Sequence, residues 1–211
     1  DILEEELLKK IELLNSDKEV DGIILQLPLP KGLNEKKIIN TISPTKDIDC
    51  LTYINQGKLY CNEKTYLPCT PNSIITLLER SNIELEGKNV VVIGRSNIVG
   101  KPVAQLLLNK NATVTICHSK TRSLKEVCKA ADIIVVAIGK PKFLTDEYVN
   151  SNSIIIDVGT SSLNGKITGD VDFEKVEQIV EKITPVPGGV GALTTTLLIK
   201  NSCEALENNE N

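Results

Sequence analysis

The stretch Asn89-Val90-Val91-Val92-Ile93-Gly94-Arg95-Ser96-Asn97-Ile98-Val99-Gly100 decides the fold of this chain. Val90 to Ile93 form a continuous β-branched run, the pattern of a parallel strand buried on both faces. Gly94 to Gly100 then reads as a strand-to-helix turn. Downstream the pattern alternates: a helix around 103–108, a strand over 112–117, a helix over 124–130, a strand over 132–138, a helix near 145–149 and a strand over 154–158. Strand and helix in regular succession imply right-handed βαβ units in an open, doubly wound α/β sheet. Residues 173–183 read as a helix running into a short strand. Pro185-Val186-Pro187-Gly188-Gly189-Val190-Gly191 makes a rigid, glycine-lined turn before a last helix over about 193–206, with 207–211 as a frayed tail.

Upstream of Glu86-Gly87-Lys88 the character differs. Leu3, Leu7, Leu8, Ile11 and Leu14 lie along one helical face, with acidic and basic residues opposite. Asp21 to Leu27 reads as a buried strand that ends at Pro28-Leu29-Pro30. Asn34 caps a short helix through Ile42, Pro44 to Asp49 is a charged loop, and Thr70-Pro71 starts another helix. Three segments are expected: a first domain over 1–83, a second, doubly wound domain over 84–190, and a terminal helix over 191–211.

The 211 residues carry 24 basic and 28 acidic side chains, a net charge of −4, which offers no basic footprint for nucleic acid. No apolar run approaches a membrane span, no export signal opens the chain, and a cytoplasmic protein is expected. The six cysteines are irregularly spaced without a Cys-x-x-Cys pair, and there is a single histidine; reduced thiols and no metal site are expected. No methionine occurs, and the helical pattern is already under way at Asp1-Ile2-Leu3, so a segment preceding residue 1 is expected.

Gly94 to Gly100 is not the usual G-x-G-x-x-G: the outer glycines are one residue further apart, and Ser96 holds the middle position. Alone it fits a simple tight turn as well as a pyrophosphate cradle; its place at the first strand-to-helix turn favours the cradle. NAD-binding sheets end their second strand with a carboxylate for the ribose, whereas here Cys117-His118-Ser119-Lys120 has none. Ser119, Lys120 and Arg95 suit a 2′-phosphate instead, which selects NADP, the alternative being a solvated basic loop. His118 reads as a hydrogen-bonded strand end. Gln26 and Asp47 stand where α/β folds place ligand groups, although capping of loop carbonyls by Gln26 and a loop or N-cap role for Asp47 fit the local pattern too.

The strings Gln26-Leu27-Pro28-Leu29-Pro30, Lys46-Asp47-Ile48-Asp49, Pro68-Cys69-Thr70-Pro71, Gly94 through Pro102 and Thr184 through Gly191 occur in this order in one family. From about residue 2 to 206 the chain resembles the bifunctional methylenetetrahydrofolate dehydrogenase/methenyltetrahydrofolate cyclohydrolases. The resemblance implies a Rossmann-like NADP domain and a smaller α/β folate-binding domain missing its N-terminal part, with folate in a cleft between them, in a homodimer acting on tetrahydrofolate derivatives. It implies that Gln26 hydrogen-bonds a catalytic lysine and Asp47 holds the pterin. It gives Gly94, Arg95 and Ser96 to the cofactor phosphates, Ser119 to the 2′-phosphate and Thr160 to the nicotinamide. Pro187 and Gly188, with Gly189, would border the folate, and the terminal helix over 191–211 would return to the first domain.

The chain departs from the family at Cys50 (usually Gly), Thr160-Ser161 (Ile-Asn) and Ala192-Leu193 (Pro-Met). The family's Tyr-x-x-x-Lys helix, whose lysine moves protons, belongs before residue 1. An NADP-binding fragment without turnover is therefore the alternative reading. A dehydrogenase for another small substrate fits the sheet but leaves the strings at 26–30 and 184–191 unexplained.

Overall fold

The computed structural model describes residues 2–163 and 165–210 and divides into two compact units. The first comprises the chain up to Pro68 together with the part from Leu197 onward; the second is Cys69–Thr196.

In the first unit, α1 (Glu4–Ser16) begins with three glutamates, which suit the positive end of its dipole. It buries Ile11 against Ile23, Ile38 and Ile42. Helix α2 (Glu35–Thr41) is capped by Asn34, whose side chain accepts from Lys37 N. The Glu4 carboxylate ties the two helices by accepting from Asn34 N at 2.7 Å and Lys37 Nζ at 3.2 Å. Lys46, although nearly buried, is satisfied at the other end of α1, where its ammonium donates to Leu14 O and Asp17 O at 2.9 and 2.6 Å. Helix α3 (Tyr53–Tyr60) was not anticipated; Thr52 caps it.

The strand expected over 21–27 shrinks to one parallel bridge between Ile23 and Asp47. Ile23 is buried but Ile24 is 51% exposed; among the described residues this apolar run pairs at one bridge, too little to build a ladder. In the C-terminal part of the unit, Asn201 Nδ2 donates to Ile48 O and Leu67 O, and Ala205 packs against Ile48 and Tyr66.

The second unit opens with α4 (Cys69–Arg80), followed by β1 (Asn89–Ile93), α5 (Gly100–Leu108), β2 (Thr113–Cys117), α6 (Leu124–Lys129), β3 (Ile133–Val136) and β4 (Ile154–Asp157). A hairpin, β5 (Ser161–Leu163) with β6 (Lys166–Thr168), precedes α7 (Phe173–Val176), β7 (Lys182–Ile183) and α8 (Val190–Glu210). The expected boundary at 83/84 moves back to 68/69 because α4 packs along α5. The long α8 begins in this unit and changes unit at Leu197, starts three residues earlier than its pattern suggested, and stays helical through the expected tail to Glu210, Asn211 lying outside the described residues.

The sheet is parallel with order β2-β1-β3-β4-β7. Val91, Ile93, Ile134, Val136 and Ile155, alternate residues of three strands, point into one core with Cys128, Leu144 and Val176. Their neighbours Val90, Val92, Ile133 and Val135 are equally buried on the other face, as the β-branched runs require. β1 pairs with β2 on one side and β3 on the other, so the strand order reverses there and leaves a crevice at the carboxyl ends. Residues 145–149 form a single 3₁₀ turn, Asp146–Tyr148, in place of a helix, and 173–183 is helical only through Val176.

Candidate functional site

The crevice between the ends of β1 and β3 is built by small residues. Gly94 has φ +131°, and a Cβ there would overlap Ala137 O; a Cβ on Gly100 would overlap Gly94 O. These glycines let two backbones touch, which is what a cradle for a dinucleotide needs. Ser96, in the middle position, does the work of a cap: its Oγ accepts from Val99 N at 3.2 Å and Gly100 N at 3.3 Å at the start of α5. A hydroxyl that accepts twice still carries a proton to donate, so Ser96 can serve a phosphate while holding the turn.

A groove of about 440 Å³ lies over this turn. Arg95, Ser96, His118, Ser119 and Lys140 supply its polar side, Leu124, Ile138 and Phe143 its apolar side, and no carboxylate lines it. Gly94, Arg95, Ser96 and Ser119 are thus brought together, and the residues fit a dinucleotide carrying a 2′-phosphate. Lys120, expected as a donor, does not line the groove; its N–H donates to His118 Nδ1 at 3.1 Å. That bond, with His118 N donating to Thr121 Oγ1, makes His118 a structural strand end. Lys140 and Phe143 went unnoticed in the sequence, although they follow the carboxyl end of β3 as Ser119 follows that of β2.

A second cavity, about 260 Å³, collects Thr160, Pro187 and Gly188 along one wall system with Asp157 to Gly159 and Gly189 to Ala192. Gly188 has φ +105°, and a Cβ on Gly189 would overlap Pro185 O, so both glycines are required by the turn. Beneath it Asp157 is buried, and its carboxylate accepts from Gly159 N, Asp170 N and Val171 N at 2.9–3.0 Å. Burial pushes the Asp157 carboxyl above the usual carboxylate range; the three N–H groups oppose the rise and the neighbouring Asp170 charge adds to it.

In the first unit Gln26 is exposed, its amide donating to Leu27 O at 3.2 Å, so the reading of a residue that caps a loop carbonyl has a bond behind it. Asp47 is different. It is 1% exposed, and its carboxylate accepts from Leu51 N, Thr52 N, Thr52 Oγ1 and Asn55 Nδ2 at 2.7–3.0 Å. It organises the turn into α3, the loop role its sequence context allowed. Asp49, two residues on, is partly exposed.

Among the described residues no three His, Cys, Asp or Glu side chains gather as a metal site, and no helix is long and apolar enough to cross a membrane. Two family models match the sequence: the tetrahydrofolate dehydrogenase/cyclohydrolase catalytic domain over residues 1–49 and the NAD(P)-binding domain of the same enzymes over 68–210. The bifunctional protein FolD of Clostridium beijerinckii is 69% identical over 207 residues, 98% of this chain and 73% of that protein. The chain belongs to the tetrahydrofolate dehydrogenase/cyclohydrolase family.

Solved members of this family superpose closely. The Campylobacter jejuni methylenetetrahydrofolate dehydrogenase/cyclohydrolase FolD gives a TM-score of 0.96 at 45% identity, over 99% of this chain and 74% of that one. The Trypanosoma brucei enzyme, determined with NADP cofactor and inhibitor, gives 0.93 at 36% identity, over 99% and 74%. The family's departures acquire physical meaning here. Cys50, at the position where the family usually has glycine, has φ 56°, a left-handed conformation that explains the glycine preference. Its thiol is buried and is pushed up to about 12 by burial first, then by the Asp47 and Asp49 charges.

Tyr60-Cys61-Asn62-Glu63-Lys64 has the Tyr-x-x-x-Lys spacing of the family's motif. These five residues do not form one helix. α3 ends at Tyr60 and Asn62 turns left-handed at φ 58°, so the two side chains do not share a helical face.

Proposed function

We propose that the chain oxidises 5,10-methylenetetrahydrofolate with NADP and hydrolyses the methenyl product to 10-formyltetrahydrofolate, in one-carbon metabolism. The observation that carries this reading is the Gly94–Gly100 cradle with its carboxylate-free, cationic groove, in a chain 69% identical to a bifunctional FolD. NADP, when bound, accepts the hydride. Arg95 and Ser119 hold the 2′-phosphate, Ser96 donates to the pyrophosphate, and Thr160 stands at the nicotinamide end, where Pro187 and Gly188 also border the folate. Gln26, whose amide both donates and accepts, orients the proton-transfer lysine. That lysine is read as lying outside residues 1–211.

Asp49, in place of Asp47, holds the pterin in this reading. An amino-pyrimidine edge offers two N–H donors that a partly exposed carboxylate accepts side by side, whereas Asp47 is 1% exposed. A cytoplasmic homodimer accompanies this reading. The test is a spectrophotometric assay of NADP reduction with methylenetetrahydrofolate, followed by decay of the methenyl absorbance, run on the 211 residues and on the complete translated chain. Turnover by the complete chain is expected; its failure to reduce NADP would reject the proposal. Turnover by the 211 residues alone would place the proton-transfer group among them.

A further inference from the structure

We infer that Asp170 is a positioning residue of the dinucleotide groove, acting through the backbone of Ile138 and Gly139. The inference rests on the dinucleotide reading of that groove and assigns a role to a carboxylate that touches neither cofactor nor substrate.

Asp170 is completely buried just after β6. One oxygen, Oδ2, accepts from Ile138 N at 2.7 Å and from Gly139 N at 2.9 Å. The other, Oδ1, has no hydrogen-bond partner among the described residues, so all the hydrogen bonding of this carboxylate goes to the turn after β3. That turn is a wall of the groove: Ile138 lines its apolar side, and Ala137 O is the atom against which Gly94 packs. The chain leaving the turn is tied to the same place, since Lys142 N donates to Gly169 O and Leu144 N to Asp170 O, which fixes Phe143 between them.

Asp170 is itself held. The Asp157 carboxylate accepts from Asp170 N, Val171 N and Gly159 N, and a Cβ on Gly159 or Gly169 would overlap the carboxylates of Asp170 and Asp157. Two buried carboxylates with only N–H partners are costly to desolvate. They bind the turn after β3 and the loop after β4, walls of two separate cavities, into one rigid piece. Pre-organising both ends of a dinucleotide site before the ligand arrives is what such a link contributes.

The test uses the 211-residue chain, Asp170→Ala and Asp170→Asn, with 2′,5′-ADP as probe of the adenosine half. Affinity is read by calorimetry, and amide exchange at 137–140 is followed without ligand. Asp170→Ala is expected to weaken 2′,5′-ADP about tenfold, on the scale of one charge-assisted hydrogen bond, and to speed exchange at Ile138 and Gly139 while β1 amides stay protected. Asp170→Asn, which keeps an acceptor oxygen, should bind within about threefold of the parent. Unchanged affinity in Asp170→Ala, a loss without faster exchange at 138–139, or an Asn variant as weak as Ala would overturn the role. Should Asp170→Ala not fold, Asp170→Asn alone decides: faster exchange at Ile138 and Gly139 with affinity within about threefold is expected, and unchanged exchange there or a larger loss of affinity would overturn the role. A parent chain that does not bind 2′,5′-ADP would reject the groove's assignment, and with it the role, while the exchange measurement separately reports Asp170's hold on the turn.

Discussion

Asp47 and Asp49 offer the sharpest test of the proposed division between a structural and a binding carboxylate. Replacing Asp47 by alanine deletes an acceptor for four donors, Leu51 N, Thr52 N, Thr52 Oγ1 and Asn55 Nδ2, at a buried site at the head of α3. Hydrogen bonds to a charged group contribute roughly 1.5–3 kcal/mol each and do not add fully; with the donors left buried, a loss of about 3–5 kcal/mol is expected. For a chain of this size that corresponds to a fall in Tm of roughly 10 °C. Asp49→Ala, at a partly exposed position, should change stability by less than about 1 kcal/mol yet weaken folate binding at least about tenfold. Tyrosine fluorescence suits the measurement, since there is no tryptophan and Tyr53, Tyr60 and Tyr66, three of the four tyrosines, lie in the first unit. Folate affinity is taken from calorimetry at a temperature where both variants are folded. An Asp47→Ala protein of unchanged stability that loses folate, with Asp49→Ala binding normally, would refute the reasoning and return the pterin to Asp47.

Three further outcomes are expected. Arg95→Ala should weaken NADP at least about tenfold while NAD changes by less than about threefold, measured by fluorescence titration; equal losses would remove Arg95 from the 2′-phosphate. With dithionitrobenzoate the native protein should expose two fast thiols, Cys61 and Cys203, and release the other four only on unfolding, because Cys50, Cys69, Cys117 and Cys128 are buried and burial pushes the Cys50 and Cys128 thiols up to about 12. Rapid labelling of Cys50 in the native state would contradict the loop as described. Finally, desolvation raises the Asp172 carboxyl, but Lys142 and Lys175, both 3.2 Å away, outweigh it and hold it below the usual carboxylate range. A depressed folded-state value stabilises above the ordinary carboxylate pKa and is lost as pH falls through the lowered one. Asp172→Asn should therefore lessen the acid loss of stability in that window, and an unaltered acid limb would count against the ion pairs.

Legibility in the sequence followed how local the forces were. Val90 to Ile93 announced a strand because burial on both faces needs an unbroken apolar run, and the two glycines bracketing the next turn placed the cradle. Ile23 to Leu27 has the same look and made only a bridge at Ile23, since a strand needs partners that its own residues do not specify. Helix α3 was missed for the opposite reason: it is eight residues long without an apolar stripe, and the Thr52 cap and the Asp47 carboxylate at its head start it. The hairpin β5–β6, mostly exposed, left no burial pattern to read.

The sequence by itself determined the α/β class, the parallel sheet and the place of the phosphate-type turn, because periodicity, β-branching and glycine spacing act between near neighbours; the family was carried by the resemblance of its motif strings. Only the tertiary structure decided which carboxylates face inward. Asp47 and Asp49 stand two residues apart with identical chemistry, and the path of the loop turns one onto the α3 N-terminus and leaves the other partly exposed. The same holds for Lys140 replacing Lys120 at the groove and for Asp170 reaching back to Ile138 across 32 residues. A side chain's role depends on the donors and charges packed around it, and those come from parts of the chain that no local pattern brings together.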